Sequence, residues 1–128
     1  DYAHHPEEIN SLISAVRDFY PDKKVTGIFQ PHLYTRTRDF AIGFASALDR
    51  LDEIVLLTLY PAREKPIKGV SSDMIAAIMK NRNVRVLTRE ELIPAAEKFG
   101  EGVVLTIGAG DIDRFVEPLT DLFRRRFR

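Results

Sequence analysis

The chain has 128 residues, 45% of them hydrophobic, so it has the size of one domain and can bury a sizeable core. Its 19 basic residues balance its 19 acidic ones, which excludes a net field that would attract nucleic acid or an anionic membrane. The absence of cysteine excludes disulfides and thiolate metal sites and fits a reducing compartment. No apolar run is long enough to insert into a membrane and no signal peptide is recognisable, so we expect a soluble, cytoplasmic protein. The chain starts without methionine in what resembles a specialised loop, and we expect it to be a fragment of a larger chain.

The first half of the chain alternates helical and strand patterns. Pro6 begins a segment whose apolar residues recur at spacings of three and four, which predicts a helix over about 6–20. Residues 25–29 then predict a strand buried on both faces. A second helix is expected over 37–50, with Phe40, Phe44, Ala45 and Leu48 on one face, and a second strand over 54–59.

The second half begins with an irregular stretch, residues 60–70, which prolines and a glycine interrupt, and we interpret it as a functional loop or lid. Ser71 or Ser72 can cap the next helix, and residues 84–87 predict a strand. Thr88 and Glu91 have the spacing of a capping box, which predicts a helix that ends at Gly100. A strand over 103–107 follows, and a last helix should turn Val116, Leu119 and Phe123 inward.

Four strands that alternate with five helices predict an α/β domain over residues 1–128, a Rossmann-like open, mostly parallel sheet with helices on both faces. Ligands of such sheets bind at the carboxyl ends of the strands. The loops expected there are 30–38, 60–70 and 108–111.

Residues 1–6 (Asp-Tyr-Ala-His-His-Pro) place a carboxylate, a phenol and two imidazoles directly before a helix N-terminus. The free amides of that N-terminus suit an anion, so the segment is a candidate anion or nucleotide site. Alternatively, Asp1 and His5 only cap the helix and His4 packs. A zinc site formed by His4, His5 and His32 is a weaker hypothesis, because the helical spacing of metal ligands is missing.

Residues 30–39 (Gln-Pro-His-Leu-Tyr-Thr-Arg-Thr-Arg-Asp) place two arginines where a strand ends and a helix starts. A guanidinium group matches two oxygens of a carboxylate or phosphate, so one of these arginines is a candidate substrate clamp. Arg36 and Arg38 lie two residues apart and point in different directions on a helix. We therefore expect at most one to face a ligand and the other to pair with a surface carboxylate.

Two further motifs have structural explanations that we favour. Residues 108–111 (Gly-Ala-Gly-Asp) resemble a turn that binds phosphate, yet the dinucleotide fingerprint is incomplete. A tight turn from strand to helix, with Asp111 or Asp113 as the cap, is the preferred interpretation. The arginines at 124–126 suit the negative end of a helix and do not by themselves indicate nucleic-acid binding.

Four segments in this order resemble the Mur ligase family and span nearly the whole chain: 1–6, 29–39, 60–62 (Tyr-Pro-Ala) and 108–111. The first occurs in looser form in the ligase that recycles murein tripeptide. The second is much more particular to the alanine-adding members. The resemblance is therefore strongest to that branch.

The resemblance implies a three-domain enzyme of peptidoglycan precursor synthesis in the bacterial cytoplasm, in which this C-terminal domain closes over ATP and the amino-acid site. UDP-N-acetylmuramate and L-alanine would be the substrates, and ATP and magnesium the cofactors, bound with the help of the other two domains. No cofactor is expected on the isolated domain. ATP phosphorylates the muramyl carboxylate, the amine of alanine attacks the acyl phosphate, and the tetrahedral intermediate releases phosphate.

The resemblance also implies residue roles. Asp1 matches a contact to the ATP ribose, and Tyr2 lies beside it. His4 and Arg36 match residues on the amino-acid and acyl-phosphate side. The family usually has arginine after the Pro-His pair, where this chain has Leu33, so Arg36 or His32 would take more of the anion recognition.

The sequence contains no phosphate loop of the Gly-x-x-x-x-Gly-Lys-[Ser/Thr] type. We therefore expect no catalytic residue in this fragment, no resident metal ion and no activity from the fragment alone. The alternatives are a freestanding Rossmann-like nucleotide-binding module or an interaction domain that binds an acidic or phosphorylated partner.

Overall fold

The computed structural model describes residues 5–59, 64–109 and 111–126. Its first element is helix α1 (Pro6–Phe19). The Nδ1 atom of His5 accepts a hydrogen bond from the amide of Glu7 at 3.2 Å and so caps the helix. Glu7 and Glu8 in the first turn suit its positive end. The predicted helix is confirmed, as is the capping role considered for His5.

Strand β1 (Val25–Phe29) matches the prediction, and helix α2 (Tyr34–Leu48) begins three residues earlier than expected. A kink at Phe40, where φ is −116° and ψ is 15°, separates residues 34–39 from the rest of α2. Phe44 is buried as predicted, but Phe40 is 38% exposed, so its assignment to the buried face is wrong. Strand β2 covers Glu53–Leu57.

Helix α3 (Ser72–Ile78), strand β3 (Val84–Leu87) and helix α4 (Arg89–Ala96) follow the predicted order. The capping box of α4 is present: the amide of Glu91 donates to Thr88 Oγ1 at 3.3 Å, and the amide of Thr88 donates to Glu91 Oε1 at 2.9 Å. The helix ends four residues before Gly100.

Strand β4 (Val103–Ile107) leads to a 3₁₀ turn (Asp111–Phe115) and helix α5 (Val116–Arg126). Val116, the first residue of α5, is 46% exposed, contrary to the prediction, while Leu119 and Leu122 are buried.

The described strands form one parallel sheet in the order β3-β2-β1-β4. Helices α1, α2 and α3 pack on one face and α4 and α5 on the other, as the two core clusters show. The predicted Rossmann-like architecture is confirmed. Within the described part of the chain, no helix has both the length and the apolar character that crossing a membrane requires.

Candidate functional site

The candidate site is the space between the carboxyl ends of β1 and β4, which we call the crevice. The two strands are neighbours in the sheet, but the chain leaves β1 toward α2 on one face and leaves β4 toward α5 on the other. The loops that follow them therefore diverge. Such a topological switch point is where open α/β sheets bind ligands.

Gln30 lies at the base of this crevice on the β1 side. Its amide donates to the carbonyl of Ile107 at 3.0 Å, which extends the pairing of β1 with β4 by one residue. The side chain is 1% exposed, and its Oε1 atom has no hydrogen-bond partner among the described residues. A buried acceptor without a donor is unfavourable, which makes Gln30 Oε1 a candidate contact for a donor from outside the described residues.

Leu33 forms the turn between β1 and α2, with φ of 69° and ψ of 137°. A non-glycine residue rarely adopts a positive φ, so the turn is strained. The carbonyl of Leu33 accepts hydrogen bonds from the Thr37 amide at 3.2 Å and from Thr37 Oγ1 at 2.8 Å. Thr37 is fully buried, and these bonds tie the turn at Leu33 to the start of α2.

Arg36 and Arg38 occupy different environments on that turn. Arg36 is half-buried, and neither a hydrogen bond nor an ion pair joins it to any residue the structure describes. Arg38 is exposed and its Nε atom pairs with Asp39 Oδ1 at 2.9 Å. That ion pair, chiefly its hydrogen bond, raises the pKa of Arg38. The expected pairing of one arginine with a surface carboxylate is confirmed for Arg38.

Glu64 brings the loop after β2 to the same place. Its carboxylate accepts hydrogen bonds from the amide of Thr35 at 3.1 Å and from Thr35 Oγ1 at 2.5 Å. The side-chain bond, followed by the backbone bond, lowers the pKa of Glu64 below its ordinary value. The carboxylate is therefore charged at neutral pH and joins two loops at the sheet edge.

The β4 side of the crevice is formed by Gly108 and Asp111. A Cβ atom on Gly108, where φ is +146°, would lie 2.8 Å from the carbonyl oxygen of Gln30, so the turn requires glycine. Asp111 Oδ2 pairs with Arg89 Nη1 at the start of α4, whereas Oδ1 is buried and unpaired among the described residues. The observed partner of Asp111 is thus a cation on another helix.

The two described histidines have separate positions. His5 caps α1, and its ring contacts that of Phe40 edge-on, with centroids 4.8 Å apart. His32 is half-buried in the turn after β1. No group of three residues with metal-ligand side chains that could hold an ion occurs in 5–59, 64–109 or 111–126. His4, the third member of the hypothetical zinc site, lies outside these ranges.

The predicted nucleotide contacts Asp1 and Tyr2, and the substrate contact His4, also lie outside the described residues. The helix that follows them is described. Pro6 packs against Gly43 so closely that a Cβ atom on this glycine would lie 2.8 Å from the proline Cγ atom. This contact and the one between His5 and Phe40 attach the beginning of α1 to α2, the helix that carries Arg36.

Comparison with known proteins identifies the domain. The model of the Mur ligase family described as "Mur ligase, glutamate ligase domain" matches residues 1–110. The chain belongs to the Mur ligase family. This confirms the resemblance inferred from the four sequence motifs.

Relatives of this Mur ligase domain include two UDP-N-acetylmuramate–L-alanine ligases. The one from Cytophaga hutchinsonii is 48% identical over 127 residues, which cover 99% of this chain and 27% of that protein. The one from Parabacteroides distasonis is 50% identical over 128 residues, which cover all of this chain and 28% of that protein. The chain thus spans about a quarter of the length of these relatives.

Solved structures show the same fold. The UDP-N-acetylmuramate-alanine ligase of Thermotoga maritima matches 98% of this Mur ligase domain and 26% of its own chain, with a TM-score of 0.69 and 24% identity. A murein peptide ligase from Psychrobacter arcticus matches 95% and 26%, with a TM-score of 0.71 and 16% identity. The freestanding-module alternative gains no support from these comparisons.

The structure brings together some of the expected residues and adds others. Arg36 and His32 both follow β1 at the crevice. Gln30 and Glu64 join them there and had no assigned role in the sequence. No local sequence pattern indicated a role for Glu64, because its hydrogen-bond partner, Thr35, lies 29 residues away in the chain.

Proposed function

We propose that this chain is the C-terminal domain of an ATP-dependent UDP-N-acetylmuramate–L-alanine ligase, and that it closes over the nucleotide and the amino-acid site. The observation that carries the proposal is identity of 48–50% to two such ligases along essentially the whole chain. The complete enzyme would act in the cytoplasm.

Arg36 is the residue that we assign to anion recognition. It lies half-buried in the first turn of α2, at the switch point of the sheet, and forms no hydrogen bond or ion pair with the described residues. Its guanidinium group can bind two oxygens of the alanine carboxylate or the acyl phosphate. His32 is a second candidate in the same turn, and His4 is assigned to the same side by the resemblance.

Asp1 and Tyr2 are proposed to bind the nucleotide. The support from the described residues is the placement of the α1 N-terminus beside α2 by the Phe40 and Gly43 contacts. ATP would supply the phosphoryl group that activates the muramyl carboxylate, and magnesium would offset the negative charge of the phosphates. The proposal assigns magnesium to the complete enzyme, where the resemblance implies that the other two domains help to bind it.

The domain would contribute positioning rather than a nucleophile or base. Holding the amine of alanine against the acyl phosphate removes the entropic cost of bringing them together, and closure excludes water from a reactive intermediate. The amine forms the new C–N bond, and the tetrahedral intermediate then breaks its C–O bond and releases inorganic phosphate.

Steady-state phosphate release by the complete enzyme tests the proposal. Release should require UDP-N-acetylmuramate, ATP and magnesium together, and L-alanine should give a higher kcat/KM than glycine, L-serine or D-glutamate. Dependence on D-glutamate, or on a tripeptide in place of an amino acid, would assign the domain to another branch of the family.

A further inference from the structure

No residue adjacent in sequence caps the N-terminus of α2 with its side chain. The N-cap position is Leu33, whose side chain carries no acceptor. The amides of the first turn have no partner within the helix, so they need an acceptor from elsewhere. In contrast, α1 and α4 are capped locally by His5 and Thr88.

Glu64 provides the missing acceptor from the loop after β2. Its two carboxylate oxygens accept from the amide and the hydroxyl of Thr35, at 3.1 Å and 2.5 Å. Tyr34 and Thr35 are the first two residues of the helix. A negative charge at this end also suits the helix dipole.

Ion pairing with Arg38 does not explain the position of Glu64. Arg38 attracts Glu64 only through longer-range electrostatics, and its own hydrogen bond goes to Asp39. Thr35 is the residue that Glu64 binds through both carboxylate oxygens. Two hydrogen bonds to Thr35 fix the position of the first helical turn along the helix axis and its rotation about that axis. They therefore also fix the direction in which the side chain of the next residue, Arg36, leaves the helix.

We infer that Glu64 is the remote N-cap of α2 and a positioning residue for Arg36, so that the chain at Glu64 and the anion-binding turn are held together. The role of Arg36 rests on the proposed function, whereas the capping role of Glu64 does not. Glu64 itself touches neither substrate nor reacting atoms in this scheme.

The complete ligase with Glu64→Gln tests the inference. The substitution keeps the size of the side chain but replaces the charged double acceptor, and a small displacement of a positioning group can cost up to about a hundredfold in rate. We expect kcat/KM for alanine to fall about ten- to a hundredfold. Amide hydrogen exchange, measured by mass spectrometry, should become faster in peptides that cover residues 33–40.

Two other variants separate positioning from loss of folding. Thr35→Val removes the hydroxyl that Glu64 accepts from, and its effect on kcat/KM should not add to that of Glu64→Gln because both break one unit. Glu91→Gln makes the same charge-removing change in the capping box of α4. It should lower the melting temperature only slightly, because glutamine still accepts from the Thr88 amide, and kcat/KM for alanine should stay near that of the wild type.

Unchanged exchange over 33–40 in Glu64→Gln would overturn the capping role. Faster exchange with unchanged kcat/KM, or an equal loss of kcat/KM in Glu91→Gln, would overturn the positioning role. If the wild-type enzyme releases no phosphate in response to alanine, the proposed function fails, and the exchange experiment still decides whether Glu64 caps the helix.

Discussion

At the scale of single residues, the two arginines of α2 differ in burial and partnership although they are two positions apart. Successive residues of a helix are separated by about 100° around its axis, so these side chains leave it in nearly opposite directions. Arg36 is half-buried at the crevice, and Arg38 is exposed beside Asp39. Their chemistry is the same, but their environments differ, and the anion-binding role is proposed for Arg36 alone.

In the complete enzyme, Arg36→Lys should lower kcat/KM for alanine by about ten- to more than a hundredfold with little change in melting temperature. Lysine keeps the charge but cannot form two parallel bonds to one anion. A charge-assisted hydrogen bond is worth roughly 1.5–3 kcal/mol, which sets the size of the expected loss. Steady-state kinetics with alanine as the varied substrate measures it.

Arg38→Lys is the matched control for that variant. Exposed ion pairs contribute little to stability or function, so its kcat/KM should remain close to that of the wild type. A severe loss in Arg38→Lys together with normal activity in Arg36→Lys would show that the other arginine binds the anion.

At the scale of elements, Asp52 links α1, β1 and the start of β2. Its Oδ2 atom accepts from the amide of Val25 at 2.7 Å and from Nη1 of Arg17 at 3.0 Å. Burial by itself would raise the pKa of Asp52, but the Val25 and Arg17 hydrogen bonds outweigh it and lower the pKa. The charged form is therefore the one that stabilises this corner of the fold.

Asp52→Asn should reduce the free energy of unfolding at neutral pH by about 1 kcal/mol. This is the value of a hydrogen bond to a charged group, reduced because solvent screens the partly exposed Asp52. The folded-state pKa lies below the unfolded value of about 3.9. The wild-type advantage is thus fully present above that unfolded pKa and is lost as the pH falls through the folded-state pKa. Urea denaturation of both proteins over an acid-to-neutral series measures the difference.

Asp18→Asn provides the comparison for this experiment, because Asp18 is an exposed carboxylate on α1, next to Arg17. It should change the stability little at any pH. A stability difference between Asp52→Asn and the wild type that stays constant down to strongly acidic pH would contradict the proposed role of the charge.

The loop after β2 combines one anchored residue with an exposed stretch. Glu64 is bound to Thr35, whereas Lys65, Pro66, Lys68 and Gly69 are exposed. Residues 60–63, which begin the loop predicted over 60–70, lie outside the described residues. Between Glu64 and α3, the amide of Val70 donates to the carbonyl of Ile67 at 3.1 Å.

We expect the amides of residues 65–69 to exchange with solvent much faster than those of β1, because few buried contacts restrain them. Hydrogen exchange followed by mass spectrometry or NMR would report the rates. Protection of 65–69 as strong as that of the central strand would contradict the prediction of a mobile loop.

At the scale of the whole molecule, the domain has a complete core on each face of its sheet. We therefore expect the 128-residue chain to fold alone. It contains no phosphate-loop sequence that would bind and transfer the phosphoryl group. The purified chain should unfold cooperatively on heating and release no alanine-dependent phosphate with UDP-N-acetylmuramate, ATP and magnesium. Robust release would show that the fragment is sufficient for catalysis.

The sequence alone predicts elements whose causes are local. Strands β1, β3 and β4 match their predicted bounds, since short runs rich in branched aliphatic residues between turn signals favour buried strands. The capping box of α4 is readable because Thr88 and Glu91 are three residues apart. The sequence also predicts the family, because four motifs resemble those of Mur ligases and occur in the same order along the chain.

The tertiary structure decides features that depend on residues distant in sequence. The kink at Phe40 and the contact of its ring with His5 depend on how α1 packs against α2. The cap of α2 comes from Glu64, and the partner of Asp111 is Arg89 on α4. Periodicity and residue spacing predict structure only from residues that are close together in the sequence. The contacts named above join residues that are far apart in the sequence, so they form only when the sheet brings its loops to one edge.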